Sequence, residues 1–181
     1  YTTECTFKGV SETADGGYIV TGNTYSGHML VMKMDSDGIL ENTAISTFDG
    51  ISYSSGISVE QLNDGSYMVG GHGDLSTGLN NLDYLFVKYT SNLSVEWYHT
   101  YGSSWNDYVS SMIRTGENNF ILAGNKEVSH NNDALHLMKL DDSGNFIWEI
   151  IQGESEGASD NANKVKQLSD GSYIVAGYKG V

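Results

Sequence analysis

One eight-residue phrase occurs four times in the 181-residue sequence. It reads DGGYIVTG from Asp15, DGSYMVGG from Asp64, ENNFILAG from Glu117 and DGSYIVAG from Asp170. The aromatic residues of the four copies, Tyr18, Tyr67, Phe120 and Tyr173, lie 49, 53 and 53 positions apart. A repeat of this period, which aligns without a gap across these segments, predicts one structural unit that is built four times.

A second phrase follows each of the first three copies. It reads MLVMKMD, YLFVKYT and LHLMKLD, and the three versions align on their lysine. Nine positions after that lysine come Trp97 in the second unit and Trp148 in the third, but Asn42 in the first. Each of these units contains four short strand-like runs, and no stretch has a sustained helical period of apolar residues. The chain is therefore predicted to be all-β.

Four strands in a unit of about 50 residues are typical of a β-propeller blade. A blade is a small sheet that cannot bury both of its faces alone, so neighbouring blades stack around an axis. The competing architecture, a β-solenoid, uses shorter coils of roughly 20–30 residues. The sequence predicts a single β-propeller domain or segment, with blades at 1–53, 54–106 and 107–156 and a half blade at 157–181.

The phrases DGGYIVTG, LVMKMDSDG and HLMKLDDSGNFIW resemble a propeller-like repeat of bacterial and archaeal cell-surface proteins. The usual form of that repeat is a D-G-G-Y-I-V-A-G strand, a V-K-x-D strand and then G-N-x-x-W. The resemblance covers nearly all of the chain, and it implies an extracellular or cell-surface location. Asn42 departs from the tryptophan of the pattern, so the outer packing of the first blade is predicted to be weaker.

The last unit contains only the first two strands of a blade. Closed propellers need about four to eight blades, so the chain is expected to be part of a longer propeller or to be completed by partner chains. An unpaired apolar strand at 173–178 would favour pairing with another strand. The sequence therefore predicts self-association, or association with a companion segment, through the terminal strands.

The sequence is strongly acidic, with 23 Asp and Glu against nine Lys and Arg and a net charge of −14. Such a surface repels phosphate backbones and anionic lipid, so nucleic acid and membranes are not expected as partners. No run of about 18 apolar residues is available for membrane insertion. A single cysteine, Cys5, excludes an internal disulfide. Because the sequence begins at Tyr1 and has no signal peptide, we expect a processed chain or an excised segment.

The loops vary in length on only one predicted face of the blades. Turns between first and second strands, and between third and fourth strands, are short, whereas the loops between second and third strands and the crossings between blades vary. Repeat proteins commonly bind ligands with their variable face. The candidate ligand-binding residues on this face are Trp105, Asn106, Asp107, His72, Asp74, Tyr25, Tyr53, His130 and Asn132.

Trp105 is the most informative of these candidates. It stands in a crossing loop among polar residues, where the aligned positions hold Ser52 and Ala158. A flat apolar ring beside amide and carboxylate groups suits a sugar ligand. The alternative is an indole wedged between two blades. Asp107 shares its repeat position with Asp160, and both are also suited to bonding backbone amides.

The five histidines form no pair at zinc-site spacing. His72 and His130 are expected to be open loop residues. His136 alternates with apolar neighbours, so it is expected to be a packing residue. The histidines therefore do not predict a metal site.

Two aspartate-rich turns hint at calcium loops. Their carboxylates are Asp35 and Asp37 in DSDG, and Asp141 and Asp142 in DDSGN. The full EF-hand pattern is absent, and a hairpin turn is the favoured explanation of both sequences. No cofactor is expected beyond this weak calcium signal.

No catalytic motif is present, so enzyme activity is not expected. The many carboxylates leave a glycosidase-like pair open. The sequence predicts a secreted or cell-surface binding or adhesion module, with a glycan or a protein as the ligand of the variable face. The alternative is a structural propeller segment that completes a ring or filament through its strand edges and binds no small ligand.

Overall fold

The computed structural model describes residues 4–75, 81–130, 132–153 and 159–180. Every regular element in these ranges is a β-strand, which confirms the all-β prediction. The strands are β1 (Cys5–Glu12), β2 (Tyr18–Thr24), β3 (Met29–Met34), β4 (Leu40–Ser46), β5 (Tyr53–Gln61), β6 (Tyr67–Asp74), β7 (Leu82–Tyr89), β8 (Val95–Tyr101), β9 (Asp107–Arg114), β10 (Phe120–Ser129), β11 (Asn132–Leu140), β12 (Phe146–Gln152), β13 (Asn161–Gln167) and β14 (Tyr173–Tyr178). Within the same ranges, no helix is long and apolar enough to cross a membrane.

The strands form three four-stranded sheets and one two-stranded sheet, and each sheet is an antiparallel meander. We call them sheet I (β1–β4), sheet II (β5–β8), sheet III (β9–β12) and sheet IV (β13–β14). The aromatic residues of the repeated phrase begin β2, β6, β10 and β14, so they occupy equivalent positions as predicted. Tyr53, the last residue of the predicted first blade, is the first residue of β5.

Successive sheets pack face to face through the same strands. The first strand of sheet II contacts the first three strands of sheet I, and the first strands of sheets III and IV repeat this arrangement on sheets II and III. We call the side of a sheet that is turned to the preceding sheet its leading face (Tyr67 and Val69 in sheet II), and the opposite side its trailing face (Met68). The four sheets do not close into a ring. Propeller closure is therefore not part of the observed fold.

The core consists of three apolar clusters, one in each junction between sheets. Leading-face residues of one sheet meet trailing-face residues of the sheet before it. The largest fully buried side chains include Tyr84, Tyr89, Phe86, Phe120, Ile19, Met68 and Ile121. Burial of an aliphatic or aromatic side chain stabilises a fold by roughly 1.5–3 kcal/mol, so these clusters hold the stack together.

Every first strand contains a β-bulge at the same repeat position. The register with the second strand shifts at Lys8, Ile57, Ser110 and Asn163. Beside each bulge a carbonyl oxygen of the first strand touches the last glycine of the repeated phrase. A Cβ on that glycine would overlap the oxygen in all four pairs, Gly22 with Thr6, Gly71 with Ser55, Gly124 with Tyr108 and Gly177 with Asn161. The glycine recurs because the bulge leaves no room for a side chain.

The turns between first and second strands explain the DG of the phrase. Gly16, Gly65 and Gly171 have φ angles of +81°, +83° and +85°, a region that glycine adopts without steric cost. Asn118 takes the same position in sheet III with a φ of +63°. Asparagine tolerates this conformation better than most other residues, so the ENNF version still forms the turn.

In sheets I and III, a lysine on the third strand forms an ion pair with the first residue of the repeated phrase, whereas Lys88 of sheet II pairs with Glu96 of β8. Lys33 Nζ lies 2.9 Å from Asp15 Oδ2, and Lys139 Nζ lies 2.8 Å from Glu117 Oε2. Asp15 and Glu117 precede their second strands by the same number of residues, so the two ion pairs are equivalent. Asp170 holds this position in sheet IV, where the described residues supply no third strand.

Trp97 and Trp148 pack between sheets, as predicted from their shared repeat position. The Trp97 ring lies 5.7 Å from that of Phe86 in the cluster between sheets II and III, and the Trp148 ring lies 6.1 Å from that of Tyr173 in sheet IV. Asn42, which replaces the tryptophan in sheet I, is exposed and donates a hydrogen bond to a carbonyl of the β7–β8 turn. It contributes a polar contact where sheets II and III pack a partly buried indole.

Candidate functional site

The candidate ligand-binding residues lie at one end of the stacked sheets, which we call the loop end. It is formed by the turns that precede β3, β7 and β11 and by the crossings that precede β5 and β9. A meander places the starts of its first and third strands and the end of its second strand side by side. Residues 76–80 and 131, which belong to these loops, lie outside the described residues.

Trp105 and His130 form an exposed ring pair at the loop end. Trp105 is 40% exposed, and its ring centroid lies 6.0 Å from that of His130 at an angle of 50°. The backbone N–H of Trp105 donates to Ser103 Oγ at 3.2 Å, which holds the crossing loop in place. The indole is therefore partly open to solvent, and His130 is exposed as predicted.

His72 is buried, which corrects the expectation of an open loop residue. It lies within β6 and is 8% exposed; its ring stacks on that of Tyr53 at 6.3 Å and meets that of Tyr108 edge to face at 5.5 Å. Burial, with a smaller effect from the Lys8 charge, lowers the pKa of His72 to about 4. His72 is neutral at neutral pH and supports the two tyrosines. The predicted loop HGDLSTGLNNLD therefore begins later than the sequence suggested, because its first three residues belong to β6.

Asn106 and Asp107 make hydrogen bonds within the protein, as the repeat position of Asp107 suggested for that residue. Asn106 Oδ1 accepts a hydrogen bond from the Leu82 N–H at 3.0 Å, and the Asn106 N–H donates to Glu127 Oε2 at 3.2 Å. Asp107 is 1% exposed, and its Oδ1 accepts from the Glu127 N–H at 3.1 Å. These bonds attach the Trp105 loop to β7 and β10. The two residues position the loop, because their polar atoms are turned inward.

The remaining candidates differ in their access to solvent. Tyr25 is 84% exposed in the turn before β3. Tyr53 is partly buried against Gly27, and Asp74 is partly buried at the end of β6. Asn132, expected in an open loop, is the first residue of β11 and is buried. The exposed aromatic surface of the loop end therefore consists of Tyr25, Trp105 and His130.

Two buried carboxyl groups, Asp83 and Asp107, lie close together beneath the Trp105 loop. Burial raises the pKa of Asp107 to about 7; Lys126 and backbone N–H groups oppose this shift, and the Asp83 charge contributes to it. Burial likewise raises the pKa of Asp83 to about 6. Asp107 Oδ2 has no hydrogen-bond partner among the described residues. Sequence reasoning missed Asp83, because it follows the longest variable loop and has no aligned counterpart.

These two carboxyl groups should make stability fall as the pH rises. The folded state binds their protons more tightly than the unfolded chain, whose aspartates titrate near 3.8. Their contribution is therefore fully present below about pH 4 and is lost as the pH rises through about 7. Asp107→Asn cannot ionise, so its free energy of unfolding should rise relative to the wild type over this interval. Urea denaturation at several pH values measures the difference, and equal pH slopes for both proteins would contradict it.

The two aspartate-rich turns are hairpin turns. Asp35 Oδ1 accepts hydrogen bonds from the N–H groups of Asp37 and Ile39, at 3.0 and 2.8 Å. Asp141 Oδ1 accepts in the same way from Ser143 and Asn145, at 2.9 and 2.7 Å. The first carboxylate of each turn thus serves the backbone, which agrees with the favoured explanation of these sequences.

No group of three or more His, Cys, Asp or Glu in the part of the chain that the structure describes is arranged to hold a metal ion. His136 is 2% exposed in β11, as predicted for a packing residue, and its Nε2 lies 2.9 Å from Glu149 Oε2. Burial lowers the pKa of His136 to about 4, although the Glu149 hydrogen bond opposes the shift. This histidine is therefore neutral at neutral pH.

Comparisons with known proteins do not assign a family. No family model matches the chain, and no curated protein matches it. Among solved structures, the chain is similar to a protein of unknown function from Bacteroides caccae, with 11% sequence identity over 84% of this chain and 69% of that chain. The TM-score of 0.35 is too low to assign a fold or a function.

Proposed function

We propose that the chain is a β-propeller segment that acts as a binding or adhesion module at the cell surface, with a glycan as the ligand of its loop end. The propeller is supported by the three sheet junctions, which repeat one packing arrangement. A constant step from sheet to sheet turns a row of sheets around an axis.

The observation that carries the binding role is the exposed Trp105 ring beside His130. Sugars bind through the apolar faces of their rings and through hydroxyl groups, so a site needs an aromatic platform with polar neighbours. Trp105 supplies the platform. His130 supplies a second ring, which carries polar nitrogens and whose centroid lies 6.0 Å from that of Trp105. The loop is held by Asn106 and Asp107, so little order has to be gained on binding.

The charge of the chain favours a neutral ligand. With a net charge of −14, the surface repels phosphorylated and sulfated molecules. A neutral glycan avoids this repulsion, and the hydroxyl groups of a sugar pair well with the polar loop. A protein partner with a basic surface would be attracted by the same charge.

Trp105→Ala should abolish glycan binding and leave the melting temperature nearly unchanged. Loss of an aromatic platform at the centre of a site typically costs at least about 2 kcal/mol of binding free energy, or roughly 30-fold in Kd. A glycan array with the wild-type chain identifies the ligand, and calorimetry with the variant measures the loss.

The matched control is Trp97→Ala, which removes a partly buried indole that packs between sheets II and III. It should lower the melting temperature without acting on the loop end directly. If Trp105→Ala lowers the melting temperature by many degrees, the indole is a packing residue. If the wild type binds no glycan, the glycan proposal is withdrawn.

The alternative, a structural segment that assembles through strand edges, is supported by sheet IV. Within the part of the chain that the structure describes, β14 has no third strand beside it, whereas the second strands of sheets I to III do. Asp170 stands where Asp15 and Glu117 bind a third-strand lysine. In this alternative an added strand supplies that lysine, and the chain binds no glycan.

A further inference from the structure

The leading face of sheet I is an open apolar surface. Phe7, Val10, Leu40 and Ile45 are 49%, 67%, 52% and 52% exposed. A groove of about 580 Å³ runs over the same face, and Leu30 and Met32 form its floor. No described sheet covers this face, although the equivalent faces of sheets II to IV are covered by the preceding sheet.

The trailing face of sheet IV, at the other end of the stack, is also uncovered by any described sheet. Ile174 and Tyr178 are 55% and 54% exposed on β14, and Lys164 and Lys166 are exposed beside them on β13. Ile174 has the repeat position of Ile19, Met68 and Ile121, all of which are fully buried by the following sheet. Each terminal sheet thus exposes the face that its equivalents bury.

The three internal junctions indicate what covers such faces. Each junction places an apolar residue of the leading face in one cluster with an apolar residue of the trailing face before it. The pairs are Val59 with Ile19, Met112 with Met68, and Val165 with Ile121. By repeat position, the two members left without such a junction are Val10 and Ile174. Both side chains are aliphatic, so they could pack as a fourth pair of the same kind.

A hydrogen bond to the preceding turn repeats in every internal junction. Gln61 Oε1 accepts from the Ala14 N–H at 2.8 Å, and Gln167 Oε1 accepts from the Gly116 N–H at 3.0 Å. Arg114, at the same repeat position, donates to Asn63 Oδ1 at 3.1 Å. Glu12 holds this position in sheet I and is exposed.

In a junction between sheet IV and sheet I, the turn equivalent to those bonded by Gln61 and Gln167 is the turn before β14. Ser169 stands there at the repeat position of Ala14, Asn63 and Gly116, and it is exposed. A carboxylate can accept from a backbone N–H as an amide oxygen does. Glu12 is therefore suited to bond the Ser169 N–H across a sheet IV to sheet I junction.

The charges at this junction are complementary. Between sheets II and III, Arg114 on the leading face lies near Glu60 on the trailing face, and its charge opposes the rise that burial causes in the pKa of Glu60. Lys166 has the repeat position of Glu60, and Glu12 has that of Arg114. The terminal faces thus carry opposite charges at the same two repeat positions, with the signs reversed.

We infer that two copies of this chain join head to tail, with the trailing face of sheet IV in one copy packed on the leading face of sheet I in the other. Val10 packs on Ile174, and Glu12 bonds Ser169 and pairs with Lys166. Because sheet IV has only two described strands, the contact covers β1 to β3 of sheet I. Strand β4, with Leu40 and Ile45, stays outside the contact. A pair that closes on itself joins eight sheets, within the range of about four to eight blades in closed propellers.

Sedimentation at about physiological salt, where charge repulsion is screened beyond roughly 8 Å, measures the association. The wild type should reach twice its mass of 19.7 kDa as concentration rises. Glu12→Lys and Lys166→Glu should each weaken association by about tenfold or more, because like charges then face each other. The double variant should recover most of the wild-type affinity. Asp49→Lys, an equal charge change on an exposed residue at another place, should have little effect.

Cysteine cross-linking tests the contact directly. In a Cys5→Ser background, Val10→Cys on one copy and Ile174→Cys on the other should form a disulfide on mild oxidation. In the control, Ile147→Cys replaces Ile174→Cys. Ile147 lies on β12 and is 43% exposed, and a cysteine there should not form a disulfide with Val10→Cys.

Three outcomes would overturn the inference. If the chain stays monomeric at every concentration, the two faces do not bind each other. A dimer that is indifferent to both charge reversals forms through another surface, such as the outer edge of β14. Cross-linking that is as efficient from Ile147→Cys as from Ile174→Cys means random collision.

Discussion

Ile121→Ala is expected to lower the free energy of unfolding by about 2–5 kcal/mol. Ile121 is fully buried on the trailing face of sheet III, where it packs in one cluster with Ala162 and Val165 of sheet IV. Truncation to alanine removes apolar contacts and leaves a cavity that the strands on both sides cannot easily fill. Because the residue joins two sheets, the loss weakens the junction as well as sheet III. Chemical denaturation of the two proteins measures the effect.

The matched control is Ile174→Ala. Ile174 has the same position in the repeat but is 55% exposed, because no described sheet covers it. Its truncation should change the stability of the monomeric chain by less than about 1 kcal/mol. Equal losses at the two positions would mean that the sheet junctions do not stabilise the chain, and the stacked arrangement would then be wrong.

Gly124→Ala is expected to destabilise the chain by about 3 kcal/mol. A Cβ at this position would overlap the carbonyl oxygen of Tyr108 beside the β-bulge of β9. The obstacle is backbone in a paired strand, so it cannot move aside as a flexible side chain would. The added methyl group must instead open the β9–β10 pairing or flatten the bulge. Thermal denaturation should show a melting temperature that is lower by several degrees.

Gly116→Ala provides the control for this substitution. The nearest atom to a Cβ at Gly116 is Gln167 Oε1, at 4.0 Å. An alanine fits there, and its effect should stay within about 0.5 kcal/mol. A Gly124→Ala chain as stable as the Gly116→Ala chain would show that the bulge yields easily.

The repeated phrases were sufficient to predict the strands and their grouping. Each aromatic residue of the phrase starts a second strand, and Trp97 and Trp148 pack as their shared position predicted. The alternation of apolar residues carries this information locally. The reason for the recurring glycine was not predictable, because it depends on a carbonyl oxygen about 16 residues earlier in a bulged strand.

The loop end was predicted in position but not in detail. Trp105, for which the sequence left a sugar platform and a packing wedge open, is 40% exposed, and His130 is exposed as predicted, whereas His72, Asp107 and Asn132 are buried. Polar residues in variable loops look alike in a sequence, whether they contact a ligand or their own backbone. Their roles are set by tertiary partners such as Glu127, and no local pattern encodes those partners.

Among the described residues, the main contacts of each sheet are with its immediate neighbours, and this affects how the chain unfolds. Sheets I and III are separated by sheet II, so their stabilities are coupled through two junctions in series. Cooperativity then decays along the chain instead of encompassing it at once. Sheet IV has two described strands and a single junction, so opening it breaks the fewest contacts. It should therefore open at the lowest free energy. We therefore expect partly opened forms that keep sheets I to III intact to be the most populated excited states of the protein.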